Sequence, residues 1–559
     1  MDEYSQTMST ITSQLCTTSN TNSVVQSDAT TKDKESISSL ELIRLLGSGG
    51  DERLSIESST GFNMYGCPLG PTNPSTSIYL SSSTATPISN GAFVHLTEIM
   101  NSLNKIPDDN VIDERIEGLR QELLGYFGLT LNDADIVFVP SGTDATLQSV
   151  FLAKLCLPRS TTVLTNVILG ADEAAGRVSN AASGRHFNLK NIRGEDVKKG
   201  APIAGLHGPD DNSNTRCIEY SYQKCQDEAF IEQSINDLTR SHEDTHIFLH
   251  ALDTSKLGNR TPSHECLNRI EQQHSKEVLT ILIDACQFRI SSSRVREHIS
   301  RNRFVTLTGS KFLAGPPFSG AILVPACFRA QIQKASVQNY MSSELAAYSA
   351  ISDWPQSWTN VRKCLADYST VLWQSNIGHF LRLTAAVFEL RRYLVIPLEW
   401  REQFIIAAGA EIRAAFSTYA GLLQPVVNMK RSSFYDENDE EFRHETIFPF
   451  LIRQSNKTFL SEEACKDLYN KLRLQTDAHP IICVIGQPAT LSLKEYPEPV
   501  TTFRFAIDTR TVTDEFERGH GIKPITTDVL QSQLKYIISK IADIINYQHS
   551  IKTEDNRTK

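Results

Sequence analysis

The sequence predicts an α/β protein with a mostly parallel sheet, followed by a smaller α+β domain. The first observation is repetition: apolar runs at 136–139, 162–169, 247–251 and 280–283 are followed by helical patterns at 145–155, 172–182, 263–274 and 291–300. Units of this kind need crossover connections, which set strands side by side and parallel. The second is a change of texture after Pro325: helical stretches at 381–394 and 400–416 give way to strands near 447–452, 481–485 and 502–507, then a helix at 528–545. The third is length, because 559 residues exceed one ordinary core.

Taken in order, residues 1–37 are rich in Ser and Thr and short of large apolar side chains, so they are expected to be a disordered tail. A short amphipathic helix at 39–46 is stopped by Gly47-Ser48-Gly49-Gly50. That glycine cluster follows a helix pattern instead of a strand, which argues against a phosphate loop. Residues 62–93 are rich in Pro, Gly and Ser, as in an extended arm whose hydroxyls can reach a site, and 112–127 reads as an amphipathic helix. The expected divisions are 1–55 (tail and short helix), 56–110 (extended N-terminal arm), 111–340 (large domain) and 341–559 (C-terminal small α+β domain).

Composition narrows the function. With 40% hydrophobic and 21% charged residues and a net charge of -10, the chain is globular and is not expected to bind nucleic acid or an anionic membrane. No run approaches the roughly 18 consecutive apolar residues of a membrane span. The N-terminal residues carry neither a basic n-region nor an apolar h-region, and the 11 cysteines form no C-x-x-C pairs. A cytoplasmic chain with free thiols is expected, and a small metabolite is the open class of ligand.

The chemistry gathers at strand ends. Ser141-Gly142-Thr143-Asp144 lies where a strand ends and a helix begins, so backbone N–H groups and the helix dipole face an incoming anion. Asp284 closes the apolar run 280–283, and its carboxylate can keep a pyridine nitrogen protonated. Gln287 can donate to a ring phenolate. Lys311 follows the run 304–307 and precedes an apolar, Gly- and Pro-rich stretch, surroundings that disfavour its charge and leave a nucleophilic amine. Thr308 and Ser310 can add hydrogen bonds to a phosphate. An acid and a lysine on neighbouring strand ends, with a phosphate cradle upstream, point to pyridoxal 5'-phosphate with Lys311 as its Schiff-base partner.

In this order the motifs Ser141-Gly142-Thr143-Asp144-Ala145, Asp284-Ala285-Cys286-Gln287 and Thr308-Gly309-Ser310-Lys311 resemble the fold-type-I pyridoxal phosphate enzymes, within them the class V aminotransferase and cysteine desulfurase group. The resemblance covers about residues 110–330. It implies a seven-stranded-type sheet, phosphate binding by Ser141, Gly142 and Thr143, Asp284 on the pyridine nitrogen, Gln287 on the ring hydroxyl, Lys311 carrying the cofactor, and a homodimer with sites at the subunit boundary. It implies that Arg504 holds a substrate α-carboxylate, with Arg510 as competitor, and that a residue near Asp172-Glu173 covers the ring, although neither is aromatic or histidine. The loop 250–258 offers Asp253, Thr254 or Ser255 beside the cofactor.

Departures from the family bear on the reaction. Ser310 stands where desulfurases and group II decarboxylases carry histidine, and 428–440 holds no cysteine to take up sulfur, so both reactions are disfavoured. The interval from Ser141 to Asp284 includes an apparent insertion at 194–222. His242-Glu243-Asp244-Thr245-His246 matches a zinc-protease pattern, but His246 leads straight into a strand and Leu249 stands where a glycine is needed, so no metal is expected. The expected function is amino-acid chemistry, aminotransfer first. The alternatives are a lyase acting by β- or γ-elimination or substitution, or a binding protein that retains the cofactor fold without turnover.

Overall fold

The structure, a computed structural model, describes residues 36–103, 107–157, 162–174, 176–207, 215–241, 244–368, 374–426, 434–454, 458–493, 495–521 and 525–555. Residues 37–559 form one compact unit; the other unit is 1–36, so the expected disordered tail lies outside the described residues except for Ser36 and Ile37, and Ile37 is buried, its N–H donating to Asn101 Oδ1 at 2.8 Å.

Two sheets organise the compact unit. Strand β1 (Ser77–Leu80) precedes a run of eight: β2 (Ala134–Val139), β3 (Val163–Leu169), β4 (Thr215–Tyr220), β5 (Thr245–Asp253), β6 (Arg260–Thr261), β7 (Leu279–Ala285), β8 (Phe304–Thr308) and β9 (Gly320–Pro325). The larger sheet runs in the order β2-β9-β8-β7-β5-β3-β4, with β6 paired to β5 off that path. The seven-strand path is mostly parallel, as expected, and β9 alone on it runs against its neighbours β2 and β8. The carboxyl ends of β2, β3, β5, β7 and β8 therefore share one edge. β2, β5, β8 and β9 are buried at every position, as strands covered on both faces must be.

The smaller sheet adds β10 (Leu423–Pro425), β11 (Ile447–Ile452), β12 (Ile482–Leu491) and β13 (Val500–Ala506) in the order β1-β12-β13-β11-β10. β1 pairs in parallel with β12, so a segment from the 62–93 region completes the C-terminal sheet. Helices cover both sheets. Gly142–Leu155 is buried from Thr143 onward, and Phe151 meets Trp354 edge to face with centroids 5.7 Å apart. Ile377–Leu394 lies under the lysine loop: a Cβ on Gly309 would stand 2.5 Å from Ala386 Cβ, and one on Gly315 2.7 Å. Both glycines thus permit the backbone approach that sets Lys311 over the sheet edge.

Three expectations need correction. The insertion at 194–222 is not an appendage throughout, because its last part is β4, an edge strand paired in parallel with β3. The helix expected over 172–182 is confined to Val178–Ala182, since Glu173 is tied instead to the loop after β5. The final helix continues past 545 to Asp555.

Candidate active site

The carboxyl-end edge of the larger sheet opens on a cavity of about 250 Å³ whose lining includes Ser141, Gly142, Thr143, Asp284, Gln287, Thr308, Ser310, Lys311 and Arg504. These nine residues are thus brought to one place, although Ser141 and Arg504 come from different sheets.

The turn after β2 builds the anion end. Ser141 caps the helix Gly142–Leu155 by accepting from Asp144 N at 3.3 Å, and its hydroxyl donates to the Asp144 carboxylate. The start of that helix, Ser141 to Thr143, lines the cavity, and the first N–H groups of a helix, which have no intrahelical partner, suit an anion. Gly142 is required by packing, because a Cβ there would stand 2.8 Å from Cys286 Sγ. Arg53, which no sequence pattern singled out, reaches in from a short turn and donates from Nη1 to Ser141 Oγ at 2.9 Å. Asp51 and Asp144 hold the rest of this guanidinium at 2.7 and 3.0 Å, and it sits 4.7 Å from the Phe318 ring centroid.

Asp284 ends β7 and accepts from Cys286 N at 3.1 Å, with the rest of its carboxylate facing the cavity it lines. Thr308 Oγ1 donates to Cys286 O at 2.7 Å and accepts from Ser310 Oγ at 3.4 Å, which ties the ends of β7 and β8 together. Gln287 is oriented by Arg289, whose Nη1 donates to Gln287 Oε1 at 2.8 Å. Its amide N–H2 is therefore directed the other way: one hydrogen goes to Ser83 O at 3.1 Å and one is free to donate. Arg289 also binds Ser82 Oγ, Thr446 Oγ1 and Ile507 O, at 3.0, 2.8 and 3.0 Å, so the arm and the C-terminal region both fix this side chain.

Lys311 Nζ has no hydrogen-bond or ion-pair partner among the described residues. Burial pushes its ammonium below the usual lysine range; Asp284 opposes that shift, and Arg289 and Arg504 add to it. An amine of this kind spends more time neutral and so can attack a carbonyl. Arg504 projects from β13 with Nη1 donating to Gln487 O and Nη2 to Thr84 Oγ1 at 3.4 Å, while its buried Nε has no partner. Gly486, opposite it on β12, makes room, because a Cβ there would meet Ser83 Oγ at 2.6 Å and Arg504 Cβ at 2.9 Å. Burial lowers the Arg504 guanidinium to about 10, which leaves it charged at neutral pH.

The weaker candidates separate. Arg510 does not line the cavity; it donates to Pro87 O and Ala314 O at 2.8 and 2.7 Å. Asp253 turns away to Arg260, 3.1 Å distant, whereas Thr254 and Ser255 line the cavity. Glu173 also lines it, but its carboxylate accepts from Ser255 Oγ at 2.5 Å and Asn259 Nδ2 at 2.9 Å instead of lying free over a ring. Burial pushes the Glu173 carboxyl up to about 7. Arm residues Ser83, Thr84 and Ala85 reach this chain's own cavity, and Tyr65, Arg177, Lys256 and Gln487 are further lining residues that the sequence reading did not single out.

Of the zinc-like pattern, 242–243 lie outside the described residues, and His246 uses both ring nitrogens, on Glu277 O and Thr280 Oγ1, each at 2.9 Å. Asp253, His264 and His298 form a buried cluster, but Arg260 stands against its carboxylate and Arg303 Nη1 is 3.2 Å from His298 Nδ1. Burial and these guanidiniums push both imidazoles down, and a dication would meet the same repulsion.

The lining fits a flat, phosphorylated pyridine aldehyde: a helix N-terminus with hydroxyls for the phosphate, a carboxylate for the ring nitrogen, a free amide N–H for the ring oxygen and an unpartnered amine for the aldehyde carbon. No protein-family model matches the sequence, and no curated protein matches it. Solved structures match in shape. Mouse CSAD is 13% identical with a TM-score of 0.46, over 81% of this chain and 81% of that one. The TDC of Oryza sativa solved with PLP is 10% identical with a TM-score of 0.45, over 87% and 85%. The cystine C-S lyase C-DES, solved with its product cysteine persulfide, is 15% identical with a TM-score of 0.46, over 82% and 96%.

Proposed function

We propose that the chain is a pyridoxal phosphate-dependent enzyme acting on an amino acid, and that its reaction is aminotransfer. The observation that carries the reading is the unpartnered Lys311 amine in one cavity with Asp284 and the Ser141–Thr143 helix start. Ser141, Gly142, Thr143, Thr308 and Ser310 would receive the phosphate, with Arg53 behind Ser141. Asp284 would hold the ring nitrogen protonated, and Gln287 would donate its free N–H to the ring oxygen. The bound cofactor supplies an electron sink for the pair left when a bond at the substrate's α-carbon breaks.

The chain's own groups would do the rest. Lys311 Nζ would hold the aldehyde carbon and, once released, carry the α-proton as general base and then acid. Arg504 would take the α-carboxylate as a two-point clamp and so select which bond faces the ring. A guanidinium kept on that carboxylate favours loss of the proton over loss of the carboxylate, which supports aminotransfer over decarboxylation. The experiment is an amino-acid screen on cofactor-loaded protein. Conversion of the visible band to the pyridoxamine form with release of a keto acid is expected; ammonia with pyruvate would select elimination instead.

A further inference from the structure

Five cationic side chains line the cavity: Arg53, Arg177, Lys256, Lys311 and Arg504. Arg53 is neutralised by Asp51 and Asp144, both within 3.0 Å. Lys311 and Arg504 have the tasks proposed above, with Asp284 beside the former. Arg177 and Lys256 are left over. Arg177 contacts Met64 Sδ at 3.4 Å and no carboxylate among the described residues. Lys256 donates to the backbone oxygens of Asp172 and Ala174, at 2.8 and 3.4 Å. The nearby acid on the lining, Glu173, is held by Ser255 and Asn259 and forms no ion pair with either cation.

Their place in the fold says which anion they await. Arg177 follows β3 and Lys256 follows β5, and both strands lie beyond β7 from β2, the strand that leads into the phosphate cradle. The two thus rise from strand ends on the other side of β7 from β2. Burial lowers the Lys256 ammonium to about 8, and the charges of Arg504 and Lys311 add to that shift, while Glu173 and Asp172 oppose it without forming an ion pair with it. Cations that share a partly enclosed site and have no ion-paired carboxylate repel one another until an anion enters.

Resting on the function proposed above, we propose that the substrate is an amino acid with a second acidic group on its side chain, received by Arg177 and Lys256 while Arg504 holds the α-carboxylate. The side-chain group can be a carboxylate or a sulfur or phosphorus oxyanion, since a guanidinium and an ammonium lining one cavity recognise charge and oxygen geometry common to these classes.

The test uses full-length protein loaded with pyridoxal phosphate and reads the change in the visible cofactor band as each amino acid is added. Apparent affinities are compared within shape-matched pairs, aspartate against asparagine and glutamate against glutamine. The acidic member is expected to bind about tenfold tighter or more, the equivalent of one lost charge contact. Arg177→Gln and Lys256→Gln, made separately, are each expected to erase most of that preference, read as the ratio of acidic to neutral affinity within each pair. Neutral members binding as tightly as acidic ones to loaded wild-type protein would overturn this inference alone. A protein that takes up no cofactor would overturn the functional reading beneath it as well.

Discussion

Arg53 Nη1 donates to Ser141 Oγ across 2.9 Å, joining a turn before the N-terminal arm to the first residue of the phosphate-facing helix start. The same guanidinium is the one cation between the buried carboxylates of Asp51 and Asp144. Its removal would leave both acids without a counter-cation, with Asn188 Nδ2 still donating to Asp51 and the Ser141 hydroxyl to Asp144, so Arg53→Ala is expected to lower unfolding stability by about 3–5 kcal/mol. Urea unfolding of the cofactor-free protein measures this. A loss under about 1 kcal/mol would mean the pair is not buried as described.

Gly142 faces Cys286 so closely that any side chain must displace it. Gly142→Ala is expected to cost about 1–3 kcal/mol in stability and to weaken cofactor uptake. Cys286→Ala in the same protein should recover part of the loss, because the sulfur at 2.8 Å is the nearest obstacle. A double-mutant cycle by thermal melting and cofactor titration gives the coupling, and strict additivity would contradict the contact.

Glu173 sets a pH dependence of definite sign. Its folded value, about 7, lies above the ordinary 4.5, so the folded chain holds the proton more tightly than the unfolded one. The stability this provides is full below 4.5 and is lost as pH rises through about 7. Relative to Glu173→Gln, wild-type protein is expected to lose on the order of 2–3 kcal/mol across that window. Melting curves of both proteins at several pH values check it; parallel pH profiles would contradict it.

Arg504 should matter to the substrate and not to cofactor uptake. Arg504→Gln is expected to weaken amino-acid binding by about 2 kcal/mol, roughly thirtyfold, with the visible band of the loaded protein retained. Arg504→Lys should rescue little, because an ammonium cannot reproduce the guanidinium fork. Spectral titration with an amino acid and with the matching amine separates the roles: the variant's loss should vanish for the amine.

The strand ends were readable because each closes an apolar run: Asp284 after 280–283, Ser141 after 136–139, Lys311 just past 304–307. Alternation of such runs with helical patterns also gave the mostly parallel sheet. β4 escaped because at the sheet's edge its residues are exposed or only partly buried, Thr215 excepted, so it shows no apolar run. The reversed direction of β9 could not be read either, since an apolar strand pattern is the same from both ends. Arg53, Arg177 and Lys256 are single charged residues in turns, and only tertiary placement brings them to the cavity. Arg504 was separable from Arg510 only once β13 was set opposite Gly486.

The central claim is that the Lys311 amine holds the cofactor. Borohydride reduction of the protein loaded with pyridoxal phosphate, followed by digestion and mass analysis of its peptides, tests it most directly. The expected result is a single phosphopyridoxyl group on the peptide containing Lys311, and none on protein carrying Lys311→Ala. An adduct on Lys256 or another lysine in wild-type protein, or one that persists in Lys311→Ala, would contradict it.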